Sequence, residues 1–394
     1  MTGFDLFPDR YAEKCRKWDR AKIEEHFGPV GDDYIPMWIA DMDFRAPESL
    51  LNRLHQAVDI GVFGYTYVYE EFYDAVIRYF ERHHHASPKK EWLALCYGTV
   101  STLHYTVQAF CQKGDSVMLS TPVYDPFARA ATAFGARVIE NELVVENNRY
   151  RMDFEKMEEQ LKQYRPKLYL LCNPHNPSGR IWSREELVTL ISLCRKYGTI
   201  VVADEVHSGL IFDGVYTSTV ETGELFQNVI LLSSPNKQYN LGGLKTSYAI
   251  IENDELRKTF RGRLTKNSIT SPAVFGIIAL IACYNEGEEY TRALMGYLGE
   301  NYRYARESIG TRIPRLSCME MESSYLLWVN IRKTGMDSDT FTHRLAKETG
   351  VLVESGNNFV GNGEGYIRIN LGTQFRNVKE AFARMEKFVD RVSL

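Results

Sequence analysis

The sequence predicts an α/β protein built on a mostly parallel sheet in a large domain, with a smaller α+β domain attached. From about residue 90, short and nearly continuous apolar runs alternate with amphipathic ones. Strands apolar on both faces, separated by helices, indicate a parallel sheet covered on each side. The last hundred residues read differently, with one long helical stretch, then strand, helix, strand and a closing helix. No internal repeat or low-complexity segment interrupts either part.

Six strand candidates follow in order: "LALCYG", "SVMLST", "KLYLLCN", "IVVADEV", "VILLSS" and "TSYAII". Each is a short apolar or β-branched run closed by turn or polar residues. Helical patterns lie between them, in "TVSTLHYTVQAFCQK", "DFEKMEEQLKQY" and "SREELVTLISLCRKYG". The closing part runs through "EEYTRALMGYLGENYRYARESI", "SSYLLWVNI", "DTFTHRLAKETG" and "GYIRINLG". We expect residues 1–45 to form an N-terminal arm packed with the small domain, 46–286 the large domain and 287–394 the small one.

Several classes are excluded by composition. The 394 residues carry 47 basic and 51 acidic side chains, a net charge of −4 that offers no basic field for nucleic acid. The longest apolar stretch, "AVFGIIALIACY", is too short to cross a bilayer. The first twenty residues are charged where a secretion signal needs an apolar core, and the seven cysteines form no CxxC pair. A cytoplasmic location is the expectation, with no metal site and no membrane partner. "HHH" at His83–His85 and "KK" at Lys89–Lys90 read as solvated surface.

In an open parallel sheet, ligands bind beyond the carboxyl ends of the strands. The loops there are therefore the places to look for chemistry. After "LALCY", Gly98 and Thr99 open a helix whose first N–H groups can hold a phosphate, or simply start a capped helix. After "KLYLLC", "NPHNPSG" presents Asn173, His175 and Asn176 on a stiff turn. Asp204 ends the apolar run "IVVAD", with no Lys or Arg near it in sequence. A carboxylate there needs a partner, because unpaired burial is costly. Either a basic side chain arrives from elsewhere in the fold, or a bound cation such as a protonated ring nitrogen supplies it. Lys237, in "SSPNKQYNLGGLKTS", is the fourth. A desolvated lysine amine is the nucleophile that forms Schiff bases, and pyridoxal phosphate needs one together with a carboxylate, a phosphate cradle and an aromatic face.

The chain resembles fold-type I pyridoxal-phosphate enzymes of the aminotransferase class I/II superfamily, and within it the MalY/PatB type of cystathionine β-lyase. The resemblance covers nearly the whole length. It rests on "PMWIADMDF", "FGYT", "TPVYDPF", "NPHNPSGR", "DEVHSGL", "SPNKQYNLGGL" and "GYIRINLG", in that order. It implies pyridoxal 5'-phosphate as cofactor, bonded to Lys237, which later moves protons at the substrate Cα. Asp204 would face the pyridinium nitrogen and Tyr124 the ring. Asn176 and His207 would hydrogen-bond the ring hydroxyl. Gly98, Thr99, Val100 and Ser234 would surround the phosphate, joined by Tyr65 from a second subunit, which implies a homodimer with shared sites.

Strand alternation alone leaves Arg368 of "YIRINL" either a substrate clamp or a solvated arginine. The resemblance implies that it grips the substrate α-carboxylate, with Tyr65 and Asn176 also near the substrate. Lys245 stands where aminotransferases commonly place a phosphate-binding arginine, and it is left outside the expected site. The implied activity is cleavage of L-cystathionine or a related cysteine thioether to a thiol, pyruvate and ammonia. Aminotransfer on the same cofactor is the alternative, and a regulatory binding protein on the same fold is the second.

Overall fold

The computed structural model describes residues 3–12 and 14–392. Its strands, in chain order, are β1 (Ile35–Met37), β2 (Leu93–Cys96), β3 (Ser116–Thr121), β4 (Arg137–Glu142), β5 (Leu168–Cys172), β6 (Ile200–Asp204), β7 (Val229–Ser233), β8 (Ser247–Ile250), β9 (Ser317–Cys318), β10 (Leu326–Asn330), β11 (Val351–Ser355) and β12 (Tyr366–Asn370). Two shorter two-stranded pairings lie outside the main sheets.

The large sheet runs β2-β8-β7-β6-β5-β3-β4. All of its strands are parallel except β8, which runs antiparallel to both neighbours. Six of the seven strands are the apolar runs named above as strand candidates. The seventh, β4, is "RVIENE", whose alternating exposure and edge position give no continuous apolar run and which is not among the expected strands. Central strands β5 to β8 are buried almost throughout, which explains their unbroken Leu, Ile and Val. The helix Arg184–Lys196 on one face starts with a capping box: Ser183 accepts from Glu186 N–H while the Glu186 side chain accepts from Ser183 N–H. The apolar stretch noted above forms the buried helix Val274–Glu286. No described helix is long and apolar enough to cross a membrane.

The small sheet runs β1-β11-β12-β10-β9, and helices Glu288–Arg312, Ser338–Thr349 and Phe375–Arg391 pack against it. Its first strand comes from the N-terminal arm, since Ile35–Met37 pairs in parallel with Val351–Val353. A buried ion cluster fixes the arm just after that strand. Lys17 Nζ lies 2.9 Å from Asp43 Oδ2, Trp18 Nε1 donates to Asp43 Oδ1 at 2.8 Å, and Arg10 pairs with Asp41 at 3.0 Å. Removing one partner of such a pair strands the other charge in the core. The arm therefore carries Ala40 and Asp41 to a fixed position above the large sheet.

Candidate active site

Every parallel strand of the large sheet ends on the same edge, and the loops from that edge surround a cavity of about 230 Å³. Lys237 reaches it from the loop after β7, Asp204 from the end of β6, His207 from the turn that follows, and Asn176 from the loop after β5. Gly98 to Ser101 supply one wall and Tyr124 another.

The Lys237 amine donates to Ala40 O at 2.7 Å. Burial and the nearby Arg368 charge bring its pKa down to about 8, even though Asp41 and Asp204 pull the other way. An amine so placed is available unprotonated far more often than a solvated lysine. Burial pushes Asp204 up to about 6, opposed by the Val206 N–H, which donates to its Oδ1 at 3.1 Å, and by the Lys237 charge. No side chain forms an ion pair with Asp204 among the described residues, so of the two partners left open by the sequence, a bound cation is the one the geometry accommodates. Its neighbour Glu205 points away from the cavity. Glu205 is held by Ser218 Oγ at 2.6 Å, Thr219 N–H at 2.8 Å and Thr219 Oγ1 at 2.7 Å, a structural carboxylate fully supplied with donors.

His207 is buried, and burial with the Lys237 and Arg368 charges keeps its imidazole neutral. Its Nδ1 sits 3.0 Å from Ser324 Oγ, leaving the other ring nitrogen for the cavity. Asn176 Oδ1 accepts from Arg368 Nη1 at 3.2 Å, and Arg368 Nη2 donates to Trp38 O at 2.9 Å. Arg368 is itself buried, with its Cζ 5.1 Å from the centre of the Phe359 ring and its Nε without a partner among the described residues.

The helix Thr99–Phe110 begins at the cavity. Gly98 precedes it with φ +83°, a conformation that favours glycine, and open space lies where a Cβ would stand. The first intrahelical bond is from Thr102 N–H to Gly98 O at 3.0 Å, so the N–H groups of Thr99, Val100 and Ser101 are left for a ligand.

Of the residues expected at the site, Ser234 does not line this cavity and Tyr65, expected from a second subunit, does not line that of its own chain. Ser234 is buried, and its Oγ accepts from Asn236 N–H at 3.1 Å. Tyr65 is fully exposed and does not line the cavity. Conversely Ala40, Asp41, Asn240 and Lys245 do line it, and the sequence reading assigned none of them a place there. Only Lys245 had a signal, its spacing from Lys237. Contrary to the expectation of a solvated histidine run, His84 is buried, both its ring nitrogens lack a partner among the described residues, and burial chiefly brings its pKa down to about 3. No cluster suited to a metal ion occurs among the described residues.

A lysine, a buried carboxylate and a helix start on one edge of a parallel sheet define an enzyme class built around a carbonyl-bearing, phosphate-bearing cofactor. The family model described as aminotransferase class I and II matches residues 41–385, and the chain belongs to that family. It is 34% identical to cystathionine beta-lyase PatB of Bacillus subtilis (strain 168), over 98% of this chain and 99% of that one. The crystal structure of cystalysin from Treponema denticola, which contains pyridoxal 5'-phosphate, superposes with a TM-score of 0.94 at 27% identity, covering 98% of each chain. The pyridoxal-phosphate-bound C-S lyase from Staphylococcus hominis gives 0.90 at 28% identity, covering 98% and 97%.

The residues fit this cofactor. The unpaired Asp204 carboxylate suits a protonated pyridine nitrogen, the Lys237 amine an aldehyde, and the N–H groups of Thr99 to Ser101 a phosphate.

Proposed function

We propose that the protein is a pyridoxal-phosphate-dependent carbon–sulfur β-lyase, which cleaves L-cystathionine or a related cysteine thioether to a thiol, pyruvate and ammonia. The observation that carries the reading is the convergence of Lys237, Asp204 and Asn176 on one cavity, with Arg368 bonded to Asn176 from the adjoining one, in a chain 34% identical along its length to a cystathionine β-lyase.

Bound pyridoxal phosphate supplies an electron sink for the pair left at the substrate Cα. The chain's residues do the rest. Arg368, already oriented by Asn176 and Trp38, offers its remaining donors to the α-carboxylate. That fixes the Cα–H bond toward Lys237, whose neutral amine removes the proton as general base. Asp204 holds a proton on the ring nitrogen. Asn176 and His207 would donate to the ring hydroxyl, Tyr124 would cover the ring face, and Gly98, Thr99 and Val100 would hold the phosphate, while Ser234 accepts from Asn236 N–H within the loop that carries Lys237. Departure of the thiolate from Cβ leaves an enamine that water converts to pyruvate and ammonia.

The active form is a homodimer. Ile60, Val62, Phe63, Tyr65 and Tyr67 form an exposed apolar run, which a second copy would cover, bringing Tyr65 to the other site. The two sheets support a division near residues 45 and 286. All seven cysteines are free, which agrees with a reducing cytoplasm.

The test is incubation of the reconstituted protein with L-cystathionine in the absence of any keto acid. Equal, sustained release of pyruvate and homocysteine supports the lyase. Turnover only when a keto acid acceptor is added moves the reading to an aminotransferase.

A further inference from the structure

A second cavity, of about 570 Å³, adjoins the first and shares Ala40 and Tyr124 with it. Arg368 lines this outer space, so a substrate gripped by its carboxylate lies between the two. Glu354 also lines it, and in the small sheet Glu354 stands directly opposite Arg368 across the antiparallel β11–β12 ladder. Opposed residues in such a ladder project from the same face. Their side chains then diverge, Arg368 toward Asn176 and Trp38, Glu354 toward Asn358 and His26.

The Glu354 side chain is 14% exposed, yet no lysine or arginine pairs with it among the described residues. Asn358 Nδ2 donates to its Oε1 at 2.5 Å, and His26 Nε2 lies 4.0 Å from that same oxygen. Oε2 has no protein partner among the described residues. The Arg368 guanidinium feels the Glu354 charge without forming an ion pair with it, so a largely buried carboxylate on the wall of a cavity next to the substrate clamp keeps one oxygen to offer a further cation. The other charged groups around this space, Arg16, Arg129 and Asp125, lie at its exposed rim, where Arg129 and Asp125 satisfy each other at 2.5 Å.

We propose that Glu354 determines specificity by binding an ammonium group on the leaving half of the substrate. The outer cavity then selects thioethers whose leaving thiol is itself an amino acid, over alkyl or aryl conjugates of similar length. This rests on the lyase reading above. The contact is remote from the breaking bond and is made equally in ground and transition states, so its effect falls on KM more than on kcat.

The test compares L-cystathionine with S-(3-carboxypropyl)-L-cysteine, which has the same chain and distal carboxylate but lacks the distal ammonium. The wild-type holoenzyme should prefer L-cystathionine in kcat/KM by about tenfold or more, the usual worth of a hydrogen bond to a charged group. In Glu354→Gln, which keeps an acceptor for Asn358, that ratio should fall toward one, mainly through the KM for L-cystathionine. Because Glu354 neighbours Arg368, the ratio is the readout; any disturbance of the carboxylate clamp affects both substrates alike. The wild-type comparison stands even where the variant folds poorly. A wild-type ratio near one, or a ratio that Glu354→Gln leaves unchanged, overturns the proposal while pyruvate release from both substrates upholds the lyase. Pyruvate from neither substrate overturns both.

Discussion

Lys237 and Asp204 face one cavity from adjacent parallel strands, the carboxylate ending β6 opposite Leu232 and the amine five residues beyond Leu232 in the loop after β7. They do not pair, although each feels the other's charge. The space between them is what a flat heteroaromatic ring with a cationic edge and an aldehyde would occupy.

Asp204→Asn should separate stability from activity. Burial raises the folded-state pKa of Asp204 to about 6, so its ionised form destabilises the cofactor-free protein, and that cost is present above pH 6 and disappears as pH falls below the unfolded value near 3.8. The variant keeps the acceptor for Val206 N–H. Cofactor-free Asp204→Asn should therefore melt at a temperature about a few degrees higher than wild type at pH 8 and about equal at pH 3.5, while turnover falls by about a thousandfold. Thermal melts at the two pH values check the first part.

Cofactor loading should depend on pH through Lys237. With a pKa of about 8, roughly one amine in ten is neutral at pH 7, against fewer than about one in a thousand for a solvated lysine. The rate of reconstitution should rise about tenfold from pH 7 to pH 9 and level off above. Stopped-flow absorption after mixing with pyridoxal phosphate follows it, and Lys237→Ala should show no covalent phase and no turnover.

Arg368→Lys should raise KM by about tenfold to a hundredfold, since a lysine replaces a planar fork with a point charge and abandons the bonds to Asn176 Oδ1 and Trp38 O. Cofactor absorption should be nearly unchanged, which distinguishes a lost carboxylate grip from a lost cofactor.

Lys245 should add a point-charge contact to the phosphate. It shares the cavity with Gly98 to Ser101, with φ +50°. Lys245→Ala should weaken pyridoxal-phosphate affinity by about three- to tenfold, with less effect at high salt because the lost term is electrostatic. Equilibrium dialysis at two ionic strengths measures both.

The sequence made the large sheet legible because its central strands are buried on both faces and so carry unbroken apolar runs. The edge strand β4 alternates and escaped notice for the same physical reason. Loops at strand ends exposed Lys237, Asp204 and Asn176 to inspection, whereas the roles of His207 and Arg368 came from resemblance, since a histidine in a turn and an arginine on an alternating strand have no distinctive local signal. Asp41 was hidden because its approach to Lys237 depends on the Arg10–Lys17–Asp43 cluster, a contact between segments far apart in sequence from β7. A charged flank suggests solvent around His84, while the packing of Tyr216 onto its ring, beside the helix neighbour Phe80, is a tertiary contact that the local sequence does not carry.

The most direct measurement runs the holoenzyme with L-cystathionine in D₂O without acceptor and analyses products by mass spectrometry and NMR. The expected products are homocysteine and an equal amount of pyruvate carrying solvent deuterium in its methyl group, because the enamine released after thiolate departure takes a deuteron from the solvent at the former Cβ. Recovery of L-cystathionine deuterated at Cα, with no pyruvate and no homocysteine, would show that Lys237 moves the proton but that the C–S bond survives, and would contradict the lyase.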